Sequence, residues 1–138
     1  MKLPLEDVKM LDLSHALAGP FCSTLLGDFG AQVVKIEVPE VGDIARAWGP
    51  PFYNTETAYF VSLHRNKQSI ELDLKHPAGK EVFFRLVEQC DVVLENYRVG
   101  TLDKLGIGYD TARQRNPGII YCSVSGFGQD GPYRDRAA

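Results

Sequence analysis

The stretch VKMLDLSHALAGPFCSTLLGDFGAQVVKIEV, residues 8–38, holds the pattern that decides the fold. Its ends are two short apolar runs, VKMLDL (8–13) and QVVKIEV (32–38). The second is rich in β-branched residues, which pack well on a pleated surface, so both runs are predicted strands. Between them Pro20 opens a helix through PFCSTLLGDFG. Proline suits a first helical turn because its missing N–H has no partner there anyway. Gly27 and Gly30 let the backbone come close to its neighbours and end the helix.

Working outward, the alternation continues. A proline-bearing loop spans VPEVGDIARAWGPPFYNTET (38–57), and AYFVSLHRN (58–66) fits a short helix. SIELDL (69–74) is the third predicted strand. HPAGKEVFFRLVEQC (76–90) is the clearest helix, with Pro77 in its first turn and Val82, Phe83, Leu86 and Val87 along one side. DVVLEN (91–96) is the fourth strand. The helical pieces TLDKLG (101–106) and YDTARQRN (109–116) follow, then a fifth strand, GIIYCSVSG (118–126). No fixed-period repeat interrupts this order. Strands that are apolar on both faces and alternate with helices predict an α/β Rossmann-like layer, a parallel sheet covered by helices on both sides. The strand order is not readable at this level. The closing loop GFGQDGPYRDRAA should lead into a further helix, so the chain is expected to be one part of a larger protein.

Composition narrows the function classes. The chain has 138 residues, 44% hydrophobic and 24% charged, which suits one domain with a buried core. Its net charge of −3 and the absence of a basic run argue against nucleic acid as a partner. The apolar stretches are strand-sized, too short to span a membrane. The start, MKLPLEDVKMLDL, has no apolar signal core. Cys22, Cys90 and Cys122 fit no paired metal-binding spacing and are expected as buried thiols in a reducing cytoplasm.

In open parallel sheets, ligands bind beyond the carboxyl ends of the strands. Five loops should leave those ends: SHALAGP (14–20), VPEVGD (38–43), LKHP (74–77), NYRVG (96–100) and SGFGQDGP (125–132). His15, Lys75, His76 and Arg98 sit in them, and Arg134 and Arg136 extend the rim. Helix starts near Pro20 and Pro77 add free N–H groups and partial positive charge, so an anionic, phosphate-bearing ligand is the expectation. The glycines do not form the dinucleotide fingerprint, because ALAGPF has one where three are needed. The phosphate-binding GxxxxGK[ST] and the nucleophile elbow GxSxG are absent. Each candidate also has a plainer role. His15 can serve its own loop, Lys75, Arg98 and Lys104 can be solvated charges, and Trp48 can anchor the long loop. Asp28 is expected to face solvent, and Asp91 to be a turn or cap.

Four blocks carry a resemblance: MLDLSHALAGPFCSTLLGDFGAQVVKIEVPEVGD (10–43), RNKQSIELDLKHPAGKE (65–81), CDVVLENYRVGTLDKLGIGYD (90–110) and NPGIIYCSVSGFGQDGPYRDR (116–136). In this order and spacing they resemble the amino-terminal part of the class III CoA-transferases, the family of the carnitine and formate enzymes. The resemblance implies a large Rossmann-like domain shared with later sequence, a smaller second domain, and a homodimer of interlocked chains. It implies transfer of coenzyme A from an acyl-CoA to a carboxylic acid through an aspartyl intermediate, without a metal. The family's nucleophilic aspartate lies beyond GFGQDGPY, so none of the aspartates here inherits the role and the chain is expected to be inactive alone.

The family's CoA contacts carry over position by position. His15, Leu17 and Ala18 match the first loop, near the reacting thioester. Leu72, Asp73, Leu74 and Lys75 match the adenine and ribose loop, and Asn96, Tyr97 and Arg98 the loop along the diphosphate and pantetheine. Lys104 stands where many members place a phosphate-binding arginine, keeping the charge but losing the bidentate fork. Val38 stands where some members have a basic residue, and Ala137 near a position that can be lysine. His76 replaces a more usual capping serine, at a small cost in stability. Three alternatives accompany this reading: an α-methylacyl-CoA racemase, which shares the scaffold; a non-catalytic CoA-binding lobe; and a dinucleotide-binding dehydrogenase lobe.

Overall fold

The computed structural model describes residues 2–136. Strand β1 (Lys9–Asp12) leads through a tight loop into helix α1 (Ala18–Asp28) and strand β2 (Gln32–Glu37). The loop beyond β2 holds a 3-10 turn (Ile44–Ala47) and a small hairpin of β3 (Phe52–Tyr53) and β4 (Glu56–Thr57). Helix α2 (Ala58–Leu63), strand β5 (Lys67–Glu71), helix α3 (Pro77–Val87) and strand β6 (Val92–Glu95) follow. The chain closes with helices α4 (Thr101–Leu105) and α5 (Tyr109–Arg115) and strand β7 (Ile120–Ser123).

The five long strands form one parallel sheet in the order β5-β2-β1-β6-β7. The chain winds outward from β1 to β5, then returns to the other side of β1 with β6 and β7. The reversal therefore falls between β1 and β6, the crevice where open α/β sheets take their ligands. The α/β reading of the sequence is borne out.

Period-two alternation gives the sheet two unlike faces. Leu11, Leu13, Ile36 and Val93 face α3 and α5 and join Phe83, Val87, Ile107 and Ala112 in an apolar core. Met10, Val33 and Leu94 face the other way, with Ala31, in a smaller cluster. Toward the carboxyl ends that second face turns polar, carrying Asp12, Lys35 and Glu37, all buried.

Two expectations shift. The third strand is Lys67–Glu71 instead of 69–74, because it enters its ladder at Val33↔Lys67. It ends where Leu72 N–H donates to the Glu37 carbonyl at 2.9 Å and Asp73 Oδ1 then captures the Lys75 N–H at 2.8 Å. His76 does cap α3, its ring Nδ1 accepting the Ala78 N–H at 3.2 Å, so the imidazole takes over the serine's task. The cysteines divide: Cys90 is buried and Cys22 half-buried, but Cys122 lies exposed on edge strand β7.

Gly79 lets α3 press against the loop that follows β5. A Cβ there would stand 1.9 Å from the Asp73 carbonyl oxygen. We expect Gly79→Ala to lower stability by about 1–3 kcal/mol through overpacking. Alanine's helix advantage of about 1 kcal/mol offsets only part of that. A urea unfolding midpoint equal to or above the parent's would refute this reading of the contact.

Candidate functional site

Because all five strands run parallel, the loops after them share one edge of the sheet. At the reversal, two of those loops are stitched together. The His15 N–H donates to Asn96 Oδ1 and Asn96 Nδ2 donates to the His15 carbonyl, both at 2.8 Å. The His15 ring meets Tyr97 edge-on, centroids 4.8 Å apart. A side-chain amide thus satisfies both main-chain groups of His15 across the crevice. The ring Nδ1 of His15 is buried without a hydrogen-bond partner. Burial, with Lys35 nearby, lowers the His15 pKa, so the ring is neutral at neutral pH.

Beneath this loop lies a buried charge network. Asp12 Oδ1 accepts the Ser14 N–H at 2.9 Å and the Ser14 hydroxyl. Asp12 Oδ2 accepts the Ser23 hydroxyl at 2.5 Å and meets the Lys67 ammonium at 3.1 Å. Lys67 also donates to the Pro20 carbonyl at 2.8 Å, tying α1 to β5. Lys35 donates to the Ser14 carbonyl at 2.7 Å and lies 2.8 Å from Asp43 Oδ2, an ionic contact off the hydrogen-bonding axis. Asp43 Oδ1 accepts the Ala45 N–H at 2.9 Å and the Ala16 N–H at 3.3 Å. That last bond helps hold Ala16 at φ 64°, a left-handed conformation that costs a non-glycine residue about 1–2 kcal/mol. Glu37 accepts a two-pronged bond from Arg46 (2.7 and 2.8 Å) and the Asp43 N–H at 2.8 Å.

Burial pushes each of these carboxyls up, and the partners outweigh it. Lys35 and Lys67, with the two serine hydroxyls, hold Asp12 below its ordinary value. His64, Lys35 and the Ala45 N–H hold Asp43 far below its own. Arg46, Ser69 and the Asp43 N–H bring Glu37 down to about 2. All three are carboxylates at neutral pH, and each is committed to holding structure.

The residues singled out from sequence fall along the carboxyl edge. His15, Asn96 and Tyr97 touch one another. Leu17 and Ala18 continue the first loop into α1, both exposed. Arg98 follows Tyr97 and is exposed, as is Lys104 on α4. Val38 lies exposed beyond β2. Leu72 and Leu74 are half-buried beyond β5, with Asp73 and Lys75 exposed beside them. β5 and β6 are three ladder spacings apart, about 14 Å, so Lys75 and Arg98 face a common edge without touching. Among the described residues, Lys75, Arg98 and Lys104 enter no ion pair within 4 Å. Ala137 lies outside the described residues.

Asp28 lies at the surface, as expected, and there accepts from Arg65 Nε at 3.0 Å and Asn66 Nδ2 at 2.8 Å, anchoring the turn before β5. Asp91 is a cap, accepting the Lys9 N–H at 2.8 Å. Trp48 packs edge-on against Tyr59 at 5.2 Å, consistent with a loop anchor. Sequence reasoning missed Lys35, Glu37, Asp43 and Lys67. The signal was available in VVKIE, where period two puts Lys35 and Glu37 on one face of a strand otherwise built for burial.

Comparison with known proteins identifies the family. The model of CoA-transferase family III matches residues 5–138. The mouse succinyl-CoA:glutarate CoA-transferase is 51% identical over 134 residues, covering 97% of this chain and 31% of the relative. The succinyl-CoA–D-citramalate CoA-transferase of Chloroflexus aurantiacus is 52% identical, covering 97% of this chain and 33% of its own. A crystal structure of a CAIB/BAIF family protein from Brucella suis superposes with a TM-score of 0.94 at 45% identity, over 99% of this chain and 37% of that one. The chain spans about a third of the length of the relatives it matches.

The buried network makes an acid-stability prediction. Glu37 has a depressed folded-state pKa, so its stabilisation is present above the ordinary value of 4.5 and is lost as pH falls toward about 2. A shift of that size corresponds to roughly 3 kcal/mol. We expect unfolding free energy to fall steeply across this window, and Glu37→Gln to flatten the fall. An unchanged pH slope in the variant would show that other groups carry it. Lys67→Met, which leaves Asp12 buried without its nearest cation, should cost about 3–5 kcal/mol in chemical denaturation.

Proposed function

We propose, since the chain belongs to CoA-transferase family III, that it forms the coenzyme A-binding part of an enzyme moving CoA from an acyl-CoA to a carboxylic acid. The observation that carries this reading is the stitched crevice. The loops after β1 and β6 are locked together by His15 and Asn96, while Arg98, Lys104 and Lys75 stand unpaired along the same edge. Such an edge suits a long ligand with a polyanionic end. The phosphates would meet Arg98 and Lys104, with Lys75, Asp73, Leu72 and Leu74 toward the adenine and ribose. Val38 gives the ligand an apolar wall in place of a charge. The pantetheine arm would run past Asn96 and Tyr97 toward His15, Leu17 and Ala18. The relatives' names support succinyl-CoA as a donor and dicarboxylic acids such as glutarate or citramalate as acceptors.

Chemically, the transfer needs a nucleophile that attacks the thioester carbonyl and a path for the thiolate to return. The buried aspartates of this chain do not fit that task. Asp12 is enclosed by two serines and two lysines, and Asp43 by Lys35 and main-chain N–H groups. The covalent aspartyl step belongs to polypeptide outside these residues, and the chain alone binds CoA without turning it over. What this chain supplies is position: neutral His15 and the pinned first loop hold the thioester end against a fixed wall, which lowers the entropic cost of attack. A homodimer is the natural working assembly. The exposed side chains Leu17, Phe21, Leu25 and Phe29 recur at helical spacing along α1 and would be covered by further polypeptide. Three free cysteines suit a reducing compartment such as the cytoplasm.

Calorimetric titration of the chain with CoA tests the reading. Arg98→Ala and Lys75→Ala should each weaken binding about tenfold or more, as expected for loss of a charge-assisted contact worth about 1.5–3 kcal/mol. Lys104→Arg should strengthen it. Affinity should also fall with salt. Equal affinity for CoA and dephosphorylated pantetheine, or no effect of either alanine, would overturn the cradle. Incubation with succinyl-CoA followed by hydroxylamine should leave the chain unmodified, and a covalent adduct would contradict the assignment of the nucleophile elsewhere.

A further inference from the structure

Four carboxylates of the described chain are buried: Asp12, Glu37, Asp43 and Glu95. Three have a cation beside them, at 3.1 Å (Lys67), 2.7 Å (Arg46) and 2.8 Å (Lys35). Glu95, 7% exposed at the carboxyl end of β6, pairs with none among the described residues. Its Oε2 accepts the Tyr97 N–H at 2.8 Å, and the Ser123 hydroxyl is its other polar neighbour. Burial raises its pKa, and the Asp103 carboxylate on α4 adds to that rise. A buried carboxylate without a counter-charge is costly and is normally compensated.

Glu95 also lines a cavity. The space is about 450 Å³ and lies between the ends of β6 and β7 and helices α4 and α5. That volume is typical of small-molecule sites. Its walls include Ser123, Asp103, Tyr109 and Tyr121, and Arg98 stands at the rim. The two tyrosine rings meet edge-on, centroids 6.0 Å apart, and the Tyr121 hydroxyl is already spent on the Ile107 carbonyl at 3.2 Å. Arg113 lies 5.9 Å from the Tyr109 ring centroid, so it already covers part of that ring. Arg98 is exposed and enters no ion pair within 4 Å among the described residues.

We infer that this cavity binds a small alkylammonium ion, its N–H groups donating to the Glu95 carboxylate and its alkyl part lying against Tyr109 and Tyr121. The ligand supplies the counter-charge that Asp12, Glu37 and Asp43 each receive from a lysine or arginine. The carboxylate selects a cation over a neutral group of the same shape, and the tyrosine rings give the alkyl part an apolar contact. The site lies on the β7 side of β6, next to the stitched crevice on the β1 side, and shares Arg98 with the proposed CoA edge.

The test is an NMR titration of the ¹⁵N-labelled chain with n-butylammonium chloride, alongside n-butanol and sodium chloride at matched concentration. Saturable shifts of the Tyr97, Tyr121 and Ser123 amides with the amine alone are expected. Glu95→Gln, which keeps an acceptor for the Tyr97 N–H, should weaken the amine at least tenfold, and Tyr109→Ala on the exposed rim severalfold. The Glu95 carboxyl resonance should titrate at lower pH with the amine present. Shifts that follow ionic strength, equal binding of butanol, or undiminished binding by Glu95→Gln would each overturn the site. Addition of CoA to the Glu95→Gln chain keeps the two readings apart, because shifts at Ala18 and Lys75 should persist there whether or not the amine binds.

Discussion

A carboxylate taken wholly out of water has to be surrounded by donors, and Asp12 is surrounded by four: two serine hydroxyls, a main-chain N–H and the Lys67 ammonium. The architecture of the carboxyl edge follows from that demand. Ser14 belongs to the first loop, Ser23 to α1, and Lys67 to β5, so satisfying one side chain fixes three elements against β1. Lys35 then bridges the Ser14 carbonyl to Asp43, drawing the loop after β2 into the same arrangement. Buried ion pairs seldom add net stability over an apolar replacement, because desolvation offsets attraction. Their contribution here is positional: the network satisfies the Ser14 and Ala16 main-chain groups together and so fixes the first loop.

The two faces of the sheet divide the work. The α3–α5 face is a continuous apolar core from Leu11 to Ile119, which supplies the non-directional driving force for folding. The α1–α2 face has only a small apolar cluster and becomes polar toward the carboxyl edge. Close backbone approach compensates there. Gly19 sits so near Ser14 that an added Cβ would be 2.2 Å from the serine Cβ, which brings the start of α1 directly over the first loop. A larger residue at either position would separate the helix from the network beneath it.

This division explains what was legible in the sequence. The strands and helices were, because their signals are local: β-branched runs, Pro20 and Pro77 in first turns, the apolar stripe of α3. The loops facing a common edge were legible as soon as the strands were taken as parallel. The strand order was not, since nothing local states on which side of β1 the chain returns. The start of β5 was misplaced because Lys67 and Gln68 are polar, and Lys67 faces inward only because Asp12 waits there. Each charge in the network looks like surface when read alone. Its burial is a property of the partner, which lies 32 residues away for Glu37 and Ser69 and 55 for Asp12 and Lys67. The His15–Asn96 stitch, 81 residues apart, was not legible: the resemblance implied both residues as contacts of one ligand but not their bond to each other.

Adjacent residues at the end of β6 show how one strand terminus serves two purposes. Glu95 turns toward β7, where Ser123 is its register partner and α4 and α5 wall a cavity. Asn96, the next residue, turns toward β1 and closes the crevice at the reversal. Tyr97 joins the two, its N–H bound to Glu95 and its ring against His15. Glu95 is therefore linked to the crevice by one hydrogen bond and one aromatic contact. Arg98 follows Tyr97 directly, so the same short loop carries the proposed phosphate contact. The three cations spent inside the fold, Lys35, Lys67 and Arg46, neutralise the carboxylates of the β1–β2 half. Among the described residues no cation pairs with Glu95 on the β6 half, which is the asymmetry from which the cavity is read as a cation site.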